Sequence, residues 1–197
     1  MSRLVSIVKF SAVFLVILAA VVFGQGRSSL VAGKCGKPVG GIALCLSRSA
    51  EPGGATLEVR NTGPKDAVLN LGTMEANGAR QHPTAITLVL TDAKGREHHA
   101  ELAEPAGIAS GWIGPFIVPL PSGASLKLPL HISKQIWYAS GQLEDFEPNP
   151  KKHYTLQAQF TGKGVSQAEA GHDFKGIALM PYWTGTVVSN AVAIGPK

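Results

Sequence analysis

The sequence predicts an all-β protein, an antiparallel sandwich of two sheets with Greek-key connections, preceded by a cleaved amino-terminal signal helix. Three observations carry this expectation. Several stretches alternate apolar and polar residues with a period of two, the mark of strands with one buried and one wet face. Of 197 residues, 16% are charged while 23 are Gly and 13 are Pro, a composition suited to short strands joined by turns. Beyond the leader, no apolar stripe with helical spacing runs for more than a turn or two.

The leader comes first. Residues 1–9 carry Arg3 and Lys9 and no acid, and residues 10–24 are apolar apart from Ser11. A positive stretch, an apolar stretch and small residues at Val22-Phe23-Gly24 fit a secretory signal cleaved after Gly24. The rival reading is an uncleaved anchor, but a bilayer core needs about 20 apolar residues, reached here only by counting back across Lys9. A lipid-attachment site is a poorer fit, because Lys34 separates Val31-Ala32-Gly33 from Cys35. The chain divides into a signal peptide (1–24), an extension (25–40) and one sandwich domain (41–197). It is expected in the periplasm or outside the cell, touching the membrane only through the leader during export, or else anchored there by an uncleaved leader. Removing Arg3 and Lys9 lowers the formal charge from +5 to +3. The remaining cations are scattered, which argues against nucleic acid as a partner.

In the exported part, residues 41–48 read as a first strand and 55–61 as a second. The second places Leu57 and Val59 inward, and Asn61-Thr62-Gly63-Pro64 turns the chain. Residues 67–72 supply Leu69 and Leu71; residues 73–83 read as a polar loop with its tip at Asn77-Gly78. Residues 85–92 present Ile86, Leu88 and Leu90, and the tight turn Asp92-Ala93-Lys94-Gly95 returns the chain along 96–102 as a hairpin. In residues 124–133, Leu126, Leu128, Leu130 and Ile132 alternate with Lys127, Pro129 and His131; a strand holding Pro belongs at an edge or a bulge. The stretch from His153 to Phe160 alternates strictly and follows Asn149-Pro150-Lys151-Lys152. Tyr154 therefore reads as a tyrosine corner, its phenol reaching an upstream backbone group and pinning a crossover between sheets. Residues 186–194 form the last strand, with Val188, Val192 and Ile194 on one face.

Cys35 and Cys45 are the two cysteines. In an exported chain they are expected to pair, closing a short loop worth about 2.5–3 kcal/mol on the chain-entropy account. In Ile42-Ala43-Leu44-Cys45-Leu46 the aliphatics take one face and Cys45 the other, away from the core.

Three runs carry a resemblance. Leu57-Glu58-Val59-Arg60-Asn61-Thr62-Gly63 resembles the V-x-N-x-G run of extracellular immunoglobulin-like modules of bacteria. Residues 85–95, an alternating strand closed by Asp-x-x-Gly, are distantly similar to a turn in the intracellular proteinase inhibitor family. Trp183-Thr184-Gly185-Thr186-Val187-Val188-Ser189-Asn190, paired with a Tyr-led strand, is similar to the closing strands of secreted bacterial sandwiches. The resemblance implies an immunoglobulin-like sandwich and no particular activity. The leader disagrees with an intracellular inhibitor, so no inhibitory loop is carried over.

Chemistry is sparse. The chain lacks a nucleophile elbow, a zinc helix motif, a phosphate loop and a dinucleotide fingerprint. His99 and Glu101 share a strand face, and His131, His153 or His172 would have to converge with them to hold a metal. Glu144, Asp145 and Glu147 cluster in what reads as a loop, without the spacing of a calcium site. No catalytic residue, metal or cofactor is therefore assigned. The large apolar residues of the loops are the candidate binding residues: Trp112 and Phe116 in a Gly/Pro-rich segment, Phe174, Ile177, Leu179, Met180 and Tyr182 in the long connection 161–182, and Trp183 directly after it. Such residues serve as anchors for a partner or as lids over the ends of a sandwich. The expected role is a non-enzymatic binding module with a protein or cell-envelope ligand. The alternatives are a secreted metal-dependent or hydrolytic enzyme using the histidines and a protease-inhibitor-like domain. Intact mass of the exported protein is expected to place its amino terminus at Gln25; a membrane-bound form retaining residues 1–24 would favour the anchor.

Overall fold

The computed structural model describes residues 34–102, 110–135, 137–139, 142–149, 151–166 and 175–196. The leader, Phe174 and His172 lie outside these. The described residues are all-β. β1 (Ile42–Arg48) and β2 (Gly54–Asn61) form a hairpin, and β3 (Ala67–Glu75) turns through Ala76–Gly78 into β4 (Arg80–His82). β5 (Ile86–Thr91) and β6 (Glu97–Glu101) are the second hairpin, followed by β7 (Gly114–Leu120) and β8 (Ser125–His131). β9 (Trp137–Ala139) pairs with β10 (Gln142–Phe146), and β11 (Tyr154–Gly162) leads to β12 (Gly185–Val188) and β13 (Val192–Ile194).

Among the described residues, hydrogen bonding sorts these strands into three antiparallel sheets where the sequence suggested two. Their orders are β1-β2-β8, β4-β3-β7 and β10-β9-β6-β5-β11-β12, with β13 beside β11. All three feed one core. Leu44, Leu57, Leu69, Leu71, Leu88, Leu90, Leu156 and Phe160 are each fully buried in it. Burying a side chain of this kind contributes about 1.5–3 kcal/mol. β11 shows how period becomes position: Tyr154, Leu156, Ala158 and Phe160 are buried, while His153 and Thr155 are exposed. Its neighbours are β5 on one side and β12 and β13 on the other.

Several expectations are corrected. The Gly/Pro-rich segment is a strand, β7, with Phe116 buried in the core, so Phe116 is no loop residue. Pro115 and Pro119 disguised it, and both are tolerated because β7 is an edge that pairs only with β3. Of the acids before Tyr154, Glu144 and Asp145 fall in a strand, β10, at the edge of the largest sheet. The polar loop 73–83 is the end of β3, a tip and β4. Both faces of Ile42–Leu46 are buried, Cys45 included. The last strand is broken at 189–191, which shifts its parity: Val187 faces the core, and Val188 is half exposed. Pro129 does lie on an edge strand, since β8 pairs only with β2.

The outer edge of β1 is closed by parts remote in sequence. The ladder to β2 uses the odd residues of β1, so Ile42, Leu44 and Leu46 turn their backbone groups outward. Ile42 exchanges both hydrogen bonds with Val39, and Gly36 N–H donates to the Leu44 carbonyl at 2.9 Å. The Asn190 side chain pairs with both groups of Leu46, its Oδ1 accepting from the N–H and its Nδ2 donating to the carbonyl, each at 2.8 Å. A disulfide joins Cys35 to Cys45, fixing this edge segment to the strand it covers. Residues 35–39 therefore belong to the folded unit, and the sequence-based boundary at 40 falls inside it. A Cβ on Gly36 would sit 1.7 Å from the Val188 carbonyl oxygen, so only glycine fits.

The Tyr154 hydroxyl accepts a hydrogen bond from Asn149 N–H at 3.0 Å, and its ring packs edge-on against Phe146, whose other face stacks on His98. The crossover it braces runs from β10 to β11 within one sheet, not between two. Tyr154→Phe is expected to cost about 1–2 kcal/mol in denaturant unfolding, because Asn149 N–H loses its acceptor. Asn190→Ala leaves two backbone groups of a buried strand unpaired and is expected to cost about 2 kcal/mol or more by the same measurement.

Candidate functional site

The long connection between β11 and β12 supplies the candidate site. Its second half is a 3-10 turn, Lys175–Leu179, followed by a tightly bonded return to the body of the protein. Met180 N–H donates to the Ile177 carbonyl, Tyr182 N–H to the Met180 carbonyl, and the Tyr182 hydroxyl to the Ile177 carbonyl at 2.9 Å. Trp183 N–H then donates to the Val68 carbonyl, and Tyr182 bridges Val68 at the start of β3. Burial raises the Tyr182 phenol above its ordinary pKa, so the hydroxyl stays protonated and remains a donor at neutral pH. The turn is thus held by four hydrogen bonds to three backbone carbonyls and by one sheet bridge.

This bracing determines what each apolar side chain does. Trp183 stacks on Phe160 with ring centroids 5.3 Å apart and packs against the core. Ile177, Met180 and Tyr182 are half-buried. Leu179 is 82% exposed, the most exposed large apolar side chain among the described residues. Two residues further along the chain, Pro181 enters the wall of a cleft of about 320 Å³, lined also by Gly40, Asn61, Pro64, Lys65 and Trp183. Asn61 gives this cleft a fixed wall, since its Nδ2 donates to the Lys65 and Leu120 carbonyls and its Oδ1 accepts from Gly63 N–H. That arrangement is the physical content of the Asn-Thr-Gly-Pro turn: the Asn side chain replaces the backbone bonds that the turn interrupts.

The structure does not gather the remaining candidates here. Trp112 lies at the other end of β3, where Asn77 exchanges hydrogen bonds with its backbone: Trp112 N–H donates to Asn77 Oδ1 at 2.8 Å, and Asn77 N–H donates to the Trp112 carbonyl. Nine residues of β3 put the two ends ~27 Å apart. Phe116 is core, and Phe174 lies outside the described residues.

The histidines are spread over the fold. His99 sits 3.7 Å from Glu97, and His82 sits 3.5 Å from Glu75. His131 spans the Pro52 carbonyl and the Ser133 hydroxyl, tying the end of β8 to the turn between β1 and β2. Among the described residues no three His, Cys, Asp or Glu side chains are grouped to hold a metal, and no helix is long and apolar enough to cross a membrane. No protein-family model matches the chain, and no curated protein matches its sequence. The sequence marks this connection as an apolar stretch. It gave no sign of the Asn61 wall or of the cleft, because both depend on β7 and residues 40–41 arriving from elsewhere in the chain.

Proposed function

We propose that the chain is an exported, non-enzymatic binding module, an immunoglobulin-like sandwich with Greek-key connections, that docks a protein or cell-envelope ligand on the Lys175–Leu179 turn and the cleft beside Trp183. The observation that carries this reading is Leu179: a large apolar side chain displayed to solvent on a turn that hydrogen bonds hold in place. A mobile loop would turn such a side chain inward. A braced one keeps it available as an anchor, with the cleft at Pro181 to receive a partner's side chain. The disulfide fits an oxidising compartment, outside the cell or in the periplasm.

The test separates display from packing. Leu179→Ser is expected to leave the denaturant midpoint within about 0.5 kcal/mol of the parent, as for other exposed positions. The same substitution should abolish retention of whichever envelope component the immobilised parent captures. Ile177→Ser, at a half-buried position, should cost measurable stability and serves as the contrast. Equal capture by parent and Leu179→Ser would overturn the reading.

A further inference from the structure

At the opposite end of β3 from Leu179, two sheets face each other across open edges. β8 ends the sheet β1-β2-β8, and β4 ends the sheet β4-β3-β7; among the described residues no strand pairs with the outer side of either. Between them runs a groove of about 450 Å³, lined by Arg80, Gln81 and Pro83 from one edge and by Leu128, Pro129 and His131 from the other. Leu102, Phe116 and Leu130 also line it and give it an apolar floor.

The register says what the β8 edge offers. Asn61 N–H bonds the Ala124 carbonyl, and Ile132 N–H bonds the Gly53 carbonyl, so the even residues between them face β2. The odd residues Ser125, Lys127, Pro129 and His131 point their backbone groups outward. Pro129 removes one donor and leaves its carbonyl, so three N–H groups and four carbonyls remain. Among the described residues the two edges of this sheet differ: that of β1 is covered by residues 35–39 and Asn190, and that of β8 is not.

We propose that this groove receives an extended acidic peptide segment, which adds as a strand between β8 and β4 and joins the two sheets into one. Strand addition at an open edge draws affinity from backbone hydrogen bonds and specificity from alternate side chains. Here one face of the incoming strand meets the apolar floor, and the other meets the charges of the rim. Arg80 and Lys134 line the groove and have no ion-pair partner among the described residues; the one acid that lines it, Glu51, lies 3.8 Å from His131. A second copy of the chain is a poor occupant. β8 and β4 contain no acid, so neither strand of a second copy would bring carboxylates to Arg80 and Lys134. The proposal concerns a different surface from that around Leu179 and stands or falls independently of it.

The experiment uses the full exported chain and three labelled, end-blocked ten-residue peptides. One alternates Val and Glu, a second has Lys for every Glu, and the third is the first with Pro at two central positions. Fluorescence anisotropy is expected to show saturable binding of the Glu peptide, at least tenfold tighter than either other. Hydrogen exchange should show protection on binding at Lys127 and His131 of β8 and along β4. Arg80→Glu with Lys134→Glu should reverse the preference between the Glu and Lys peptides. Absence of binding by the Glu peptide, equal binding of the Lys peptide, undiminished binding of the Pro peptide, or protection confined to other strands would each overturn the proposal.

Discussion

The structure depends on how the backbone of β1 is satisfied. The strand is buried on both faces, so water cannot serve its outward N–H and C=O groups, and an unpaired buried group costs about 1–3 kcal/mol. Among the described residues no full strand lies along that edge. Val39 serves Ile42, Gly36 serves Leu44, and the Asn190 amide serves Leu46, reproducing a ladder from two pieces remote from each other in the chain. A carboxamide suits the task because it carries a donor and an acceptor side by side, as a peptide group does. Aspartate could not donate, and leucine could do neither.

The form of the last strand follows from that demand. For Asn190 to reach β1, the chain must leave the ladder with β11 after Val188 and rejoin it at Val192. Across the gap the β11 ladder is kept by Ser189, whose hydroxyl accepts from Ala158 N–H and whose own N–H donates to the Ala158 carbonyl. The break therefore loses little pairing. It links the edge of one sheet to the centre of another.

The alternating strands of the core were legible in the sequence. Leu57 and Val59, Ile86 to Leu90, and Tyr154 to Phe160 all lie in strands with the inward faces that their period implies. Strands whose residues answer to an edge position were not legible. Two prolines in β7 and the acids of β10 read as loop, yet each is tolerated or favoured where one side of a strand stays unpaired. The parity of β12 was misread because a break was read as continuity, which moved Val187 and Val188 to the wrong faces. The Leu179 turn was legible only as an apolar stretch in need of a place. Which of its side chains would be displayed depends on Val68 and Ile177 carbonyls that no local pattern announces. The groove between β8 and β4 was out of reach for the same reason, being defined by two edges 45 residues apart in the chain.

The bond between Leu46 and Asn190 spans 144 residues, and this bears on the order in which the chain emerges. A polypeptide emerging amino terminus first presents β1 early, while the side chain that closes its edge follows only 144 residues later. Until then Leu46 offers an open apolar strand to any neighbour, which is the configuration that leads to intermolecular pairing. Contacts this distant also make folding slow. The Cys35–Cys45 link shortens the exposure, for it needs only the first dozen residues of the unit and covers Ile42 and Leu44 before the carboxy-terminal strands exist. Oxidation thereby becomes a step of assembly, in which the amino-terminal half of the edge is sealed by chemistry and the other half waits for Asn190.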